Sequence, residues 1–104
     1  MHFVLLATHS AEVCPTSNAK TRDLLLQVAS KIPEFAEKAG VTVVAGPFAN
    51  REHVIVMIVS AEKAESVDQF LVDSRLAHWN RVHVLPSLKM EDALQEVEEM
   101  TPVF

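Results

Sequence analysis

The feature that most constrains the fold is the stretch of residues 53–59, in which six consecutive apolar residues follow His53. Most of these side chains are β-branched, which favours a strand over a helix. Successive side chains of a strand point to opposite faces of a sheet. A strand that is apolar at every position therefore needs cover on both faces, and residues 53–59 predict a strand in a sheet that is covered on both sides.

Three further stretches predict strands, because each is short, rich in apolar or β-branched residues and bounded by turn residues. They are residues 3–9, residues 41–46 and residues 81–85. Residues 41–46 directly precede Pro47, and the stretch 81–85 alternates with a period of two and is expected to stop at Pro86. The strand over 41–46 and the strand over 53–59 are expected to pair as a hairpin.

Three segments have the spacing of helices. The first is predicted to begin at a cap on Thr16 or Ser17 and to end at Gly40, with Pro33 either kinking it or starting a second short helix. The second follows a cap at Ser60 and ends near residues 78–80. The third covers residues 91–100 and carries five acidic side chains, which are expected to form a solvated surface.

The order strand, helix, strand, strand, helix, strand, helix predicts a single α+β domain over residues 1–104, with a ferredoxin-like βαββαβ arrangement and a C-terminal helix. Helices would cover one face of a four-stranded antiparallel sheet and leave the other bare. Apolar residues make up 49% of the 104 residues, and a chain this short does not cover both faces itself. We therefore expect a homodimer, with a second subunit on the bare face.

In element order, length and apolar strands, nearly the whole chain resembles the dimeric α+β barrel superfamily. That superfamily includes the YciI-like proteins, the muconolactone-isomerase-like proteins and the antibiotic-biosynthesis-type monooxygenases. The resemblance implies two sheets stacked into a barrel and a small-molecule cleft in each subunit. The haem-degrading monooxygenases of that superfamily use an Asn on the first strand, which the stretch 3–9 lacks, so their residue roles are not transferred to Trp79 or His83.

Charge and cysteine content exclude several functions. The chain has 14 acidic and 9 basic residues, a formal net charge of −5, and its basic residues are scattered, which argues against nucleic acid as a partner. The longest apolar runs are far shorter than a membrane span, so no membrane association is expected. The single Cys cannot form an internal disulfide, and together with the lack of a signal-peptide pattern this predicts a cytoplasmic protein.

The most informative segment for chemistry is residues 9–18, which place His9, Glu12 and Cys14, the only Cys, between the first strand and the first helix. A Cys just before a helix lies where the helix dipole and free N–H groups stabilise thiolate. Cys14 and His9 are therefore candidate catalytic residues. The alternative is that Cys14 is a small apolar core residue and His9 a polar strand end.

A metal site is the second interpretation of the same segment. If the first and third strands are antiparallel neighbours, the end of the first meets the start of the third. His9, Cys14 and His53 are then predicted to converge, and a Cys/His₂ set suits Zn or Cu. Glu12 is a further candidate ligand. The remaining histidines show no metal-ligand spacing.

The sequence leaves the function open among three classes. The leading one is a small dimeric protein that binds a small ligand or a metal ion in a cleft near His9 and Cys14. The first alternative is an enzyme of oxygenase, isomerase or thiol-redox type, and the second is a structural or interaction module.

Trp79 is predicted to pack in the core, and Met57, Met90 and Met100 are predicted to fill gaps there. No glycine-rich nucleotide loop or nucleophile elbow is present.

Overall fold

The computed structural model describes all of residues 1–104 and contains four strands, five helices and one 3-10 turn. The strands are β1 (His2–Thr8), β2 (Thr42–Phe48), β3 (Val54–Ser60) and β4 (Arg81–Ser87). The helices are α1 (Ala19–Val28), α2 (Ile32–Ala39), α3 (Ala64–Asp73), α4 (Leu76–Trp79) and α5 (Met90–Glu99), with the 3-10 turn Ala29–Lys31 joining α1 to α2. None of these helices has both the length and the apolar character needed to cross a membrane.

The strands form one open antiparallel sheet in the order β2-β3-β1-β4. The two central strands pair in full register, from His2 opposite Ser60 to Thr8 opposite Val54. The predicted α+β class, the four-stranded antiparallel sheet and the central β1–β3 pair are thus confirmed, and the order is compatible with the ferredoxin-like arrangement. The helices do not follow a plain βαββαβ order, because each predicted crossover helix is broken in two.

Both breaks have local causes. Pro33 lies in the first turn of α2, where the missing N–H of proline costs nothing, so it starts a second helix rather than kinking the first. Arg75 has a φ of +66°, in the left-handed region, and this interrupts the helical backbone between α3 and α4. The first helix is capped by Asn18 rather than by Thr16 or Ser17, since its side-chain oxygen accepts a hydrogen bond from the Thr21 N–H at 3.0 Å.

Two predicted strand ends were wrong for the same reason. β2 continues through Pro47 to Phe48, and β4 continues through Pro86 to Ser87. Each is an edge strand with one neighbour only, so the missing N–H of a proline can face away from the sheet. The ladder between β2 and β3 is irregular from Val43 to Phe48, with register shifts that are typical of β-bulges.

The core lies between the helices and one face of the sheet, the face to which alternate residues of β1 and β3 point, and includes buried side chains of α2, α3 and α4. Its largest fully buried side chains include Phe3, Met57, Val67 and Phe70. The predicted packing of Met57 in the core is confirmed, whereas Met90 and Met100 are 72% and 69% exposed. The core prediction was wrong for these two, because α5 does not pack on the core.

The opposite side of the sheet carries apolar side chains that this chain only half buries. The open sheet face is defined here by the directly paired residues Val4 and Ile58, and Leu6 and Val56, on the central strands. These residues alternate with the fully buried Phe3, Leu5, Met57 and Val59.

Candidate metal site at the end of the central strands

His9 and His53 face each other at one end of the central strand pair. His9 directly follows β1 and His53 directly precedes β3. The backbone N–H of His9 donates to the carbonyl oxygen of His53 at 3.1 Å, which continues the ladder one step beyond Thr8 and Val54. The two imidazole rings lie on the same side, with centroids 5.4 Å apart and planes inclined at 69°.

Cys14 is brought to the same place by a tightly hydrogen-bonded loop. The backbone N–H of Cys14 donates to the Ser10 carbonyl at 3.1 Å, and the Cys14 carbonyl accepts from the N–H groups of Ser17 and Asn18 at 2.8 Å each. These bonds turn the chain back on itself between β1 and α1. Cys14 is a free thiol with 7% of its surface exposed.

One donor atom from each of His9, Cys14 and His53 lies within 4.8 Å of the other two. The predicted convergence of the three residues is therefore confirmed. An ion held at bond lengths of ~2.3 Å to sulfur and ~2.0 Å to nitrogen would keep its donors roughly 3.3–3.8 Å apart. The three donor atoms lie within 4.8 Å of one another, so they would have to approach by about 1 Å to reach this spacing. Glu12 and the other histidines do not belong to this cluster.

Asn80 orients His9, and sequence reasoning gave it no role. Its Oδ1 lies 2.9 Å from His9 Nδ1, and its Nδ2 donates to the Leu76 carbonyl oxygen at 3.0 Å. The second bond fixes the amide so that Oδ1 is the atom facing the ring, and a carbonyl oxygen only accepts. His9 therefore carries its proton on Nδ1, which leaves the lone pair of Nε2 free for a metal or a proton.

Asn50 is the second residue that sequence reasoning missed. Its Oδ1 accepts from the N–H groups of Glu52 and Val54 at 3.0 and 3.3 Å, and its Nδ2 donates to the Val54 carbonyl at 2.7 Å. The turn places His53 in the left-handed region, at φ +60°, where L-residues other than Gly are strained. The preference of Asn for turns between strands was the available signal.

Trp79 closes the cluster on the core side. Its ring centroid is 5.0 Å from that of His9, with the planes tilted by 52°. The side chain is 9% exposed and belongs to the core, so its predicted core packing is confirmed. Its indole N–H is buried without a hydrogen-bond partner, which is unusual for a buried Trp.

The surroundings of Cys14 favour the thiolate. Hydrogen bonds from the Thr16 side chain and from the Thr16 backbone lower the pKa of Cys14 below its ordinary value of 9.0. His53 lowers this pKa further by a hydrogen bond and by its charge, while burial acts in the opposite direction. The Thr16 hydroxyl oxygen lies 3.1 Å from Sγ. The thiolate is the form of Cys that binds metals and attacks electrophiles.

A cavity of about 220 Å³ adjoins the cluster. His9 and Cys14 contribute to its wall, and the rest of the lining is largely apolar: Pro15, Thr16, Leu25, Ala49, Asn50, Val54, Ile55 and Trp79. A larger groove of about 870 Å³ lies between α2 and β2, but none of the three clustered residues lines it. Two of the three clustered residues, His9 and Cys14, therefore line the smaller cavity, whereas His53 does not.

The chain matches no protein-family model, no curated protein and no solved structure.

Proposed function

We propose that this protein binds one thiophilic transition-metal ion, Zn²⁺ or Cu⁺, through Sγ of Cys14, Nε2 of His9 and a ring nitrogen of His53. The observation that carries the proposal is that one donor atom from each of these three residues lies within 4.8 Å of the other two. Thiolate and imidazole donors suit both ions. The Asn80 contact adds support, because metal-bound histidines characteristically donate their other ring N–H to a fixed acceptor.

The two ions differ in the charge and geometry they would give the site. A thiolate and two neutral imidazoles leave a net charge of zero around Cu⁺ and of +1 around Zn²⁺. The apolar cavity wall favours the neutral combination, because burying a net charge costs free energy. Zn²⁺ prefers four ligands, so a zinc ion held by three residues would keep one position for water or a small ligand from the cavity.

The test is a metal titration of the chain without a histidine tag. Protein prepared under reducing conditions is analysed for bound metals by mass spectrometry, stripped, and titrated with Zn²⁺ or Cu⁺ against a coloured chelator. We expect one ion per chain. His9→Ala and Cys14→Ser should each weaken metal binding at least ~10-fold. The matched control is His83→Ala, which removes an exposed histidine of β4 outside the cluster and should leave binding unchanged. Equal binding by all variants, or none by the parent chain, would overturn the proposal.

A second candidate function is supported by the same cavity. Because Cys14 lines a space of about 220 Å³ beside two imidazoles, its Sγ could attack an electrophilic centre of a small molecule while His9 or His53 accepts the thiol proton. In this case metal-free protein should form a covalent adduct with a small electrophile at Cys14 only when a histidine of the cluster is present. Adduct formation unchanged in the His9→Ala and His53→Gly variants would contradict it.

The strand order also supports the assignment of the domain to a fold family. We propose that the domain is ferredoxin-like and belongs with the dimeric α+β barrel proteins, since β1 and β3 are central and antiparallel and one face of the sheet is open. Because a single free Cys is typical of proteins in a reducing compartment, we also propose a cytoplasmic location. If neither metal nor thiol chemistry is found, an interaction module is the function that remains.

A further inference from the structure

Helix α5 is amphipathic and lies away from the rest of the chain. Its apolar residues Met90, Ala93, Leu94 and Val97 follow the spacing of one helix face, and its acidic residues occupy the other side. Leu94 is 58% exposed and Val97 is 67% exposed. None of the extensive contacts between helices and strands involves α5. The apolar side of α5 thus has the pattern of a packing surface but makes no extensive contact with its own chain.

The accessible surface area and the radius of gyration of the chain both exceed those expected for a compact monomer. A compact monomer of 11.5 kDa exposes about 5,800 Å², whereas this chain exposes 7439 Å². The radius of gyration is 16.0 Å against about 13 Å for a compact domain of this length. The excess surface of roughly 1,600 Å² is about twice the ~800 Å² that each partner buries in a stable complex.

The open sheet face is the second unpartnered apolar surface. Val4, Leu6, Val56 and Ile58 are half-buried at its centre. At the edge strands, Phe48 is 60% exposed and Leu85 is 45% exposed. A second copy of the chain brings both an α5 helix and an open sheet face, so two identical chains can cover both surfaces reciprocally about a two-fold axis.

We propose that α5 is an intersubunit arm: in a homodimer, the apolar side of α5 packs on the second copy of the chain, in the same interface that covers the open sheet faces. The acidic side of α5 stays in water. Residues 88–104 contain five acidic residues and one basic residue. Their net charge of −4 disfavours nucleic acid or an anionic membrane as the occupant.

The arm is independent of the metal site in position. α5 follows Ser87, which pairs with His2, whereas His9 and His53 lie at the other end of the central strands. Seven-residue strands separate the two ends by about 20 Å. An experiment can therefore show loss of the dimer without loss of metal binding, or the reverse, so the two proposals can fail separately.

The test is the mass and the dissociation constant of the full chain, measured by light scattering and by sedimentation at micromolar concentration. We expect a particle of twice the 11.5 kDa chain mass. The double variant Leu94→Glu, Val97→Glu should raise the dissociation constant at least ~30-fold. The control Glu91→Gln, Gln95→Glu alters the polar side of α5 without changing its net charge and should leave the dimer intact.

Circular dichroism establishes that each variant is folded, and a chain ending at Lys89 provides a second way of removing the arm. A monomeric parent chain would overturn the proposal. A dimer that withstands both the double variant and the truncation, but dissociates with Val56→Lys on the open sheet face, would also overturn it, since the interface would then not use α5.

Discussion

The Nδ1 atom of His9 and the Oδ1 atom of Asn80 are 2.9 Å apart, although 71 positions separate the two residues in the chain. Asn80 in turn is held by its own bond to the Leu76 carbonyl. This arrangement fixes both the rotation of the His9 ring and the nitrogen that carries its proton. The lone pair of His9 Nε2 is therefore left free for a ligand before any ligand arrives.

Asn80→Ala should weaken metal binding by ~10–100-fold, the range found for residues that orient metal ligands. Asn80→Asp keeps an oxygen acceptor for the Nδ1 proton and should recover most of the affinity. Competition with a chelator measures both variants, and ¹⁵N NMR of the His9 ring reports the tautomer. If Asn80→Ala changes neither the tautomer nor the affinity, Asn80 does not position His9.

Cys14 should be alkylated at slightly acidic pH faster than a free thiol such as glutathione, because hydrogen bonds from Thr16 lower its pKa. Thr16→Val removes the hydroxyl donor and keeps the side-chain volume, so it should move the midpoint of the rate–pH curve upward. Iodoacetamide labelling followed by mass spectrometry gives this curve for the metal-free protein. A parent midpoint at the free-thiol value would contradict the expectation.

The stability of the metal-free protein should rise with pH through the titration of Cys14. The folded-state pKa is below the ordinary value of 9.0, so the unfolded chain binds more protons in the interval between the two. The stabilising contribution is complete above about pH 9, and it is lost as the pH falls through the folded-state pKa. Urea unfolding of the parent and of Cys14→Ser should therefore diverge on going from pH 6 to pH 9. Parallel curves would show that Cys14 titrates alike in both states.

His53→Gly should be more stable than His53→Ala by about 1 kcal/mol, because Gly adopts the φ of +60° found at this position without the Cβ clash. Both variants should lose metal binding to a similar degree. Thermal or urea unfolding of the metal-free variants provides the comparison. Equal stability would show that the left-handed backbone at residue 53 is not strained, and that Asn50 fully compensates for it.

Much of the fold could be predicted because the strands carry a strong local signal. The six residues after His53 are apolar and mostly β-branched, and the structure places β3 within one residue of the predicted range 53–59. The convergence of His9 with His53 followed from topology alone, since neighbouring antiparallel strands bring the end of β1 to the start of β3. Gly40 was also predicted correctly as a helix end, and its φ is +78°.

What could not be predicted depended on tertiary context. Proline lacks a ladder N–H, but whether Pro47 or Pro86 ends a strand depends on whether the strand lies at the edge of the sheet. Met90 and Met100 are apolar like Met57, but they are exposed and Met57 is buried. The difference depends on where the chain runs after β4, which the residue type does not indicate. Asn80 was missed because its role follows from strand register. Arg81 pairs with Thr8, which places the preceding residue opposite His9.

The bond from the His9 N–H to the His53 carbonyl is the terminal rung of the central ladder, and terminal rungs fray in solution. An ion bound by the side chains of His9 and His53 would link β1 and β3 at the end where their backbone pairing frays. Occupancy of the site and order in the centre of the sheet would then change together. Any molecule that removes the ion would also loosen the strands on which the core is assembled.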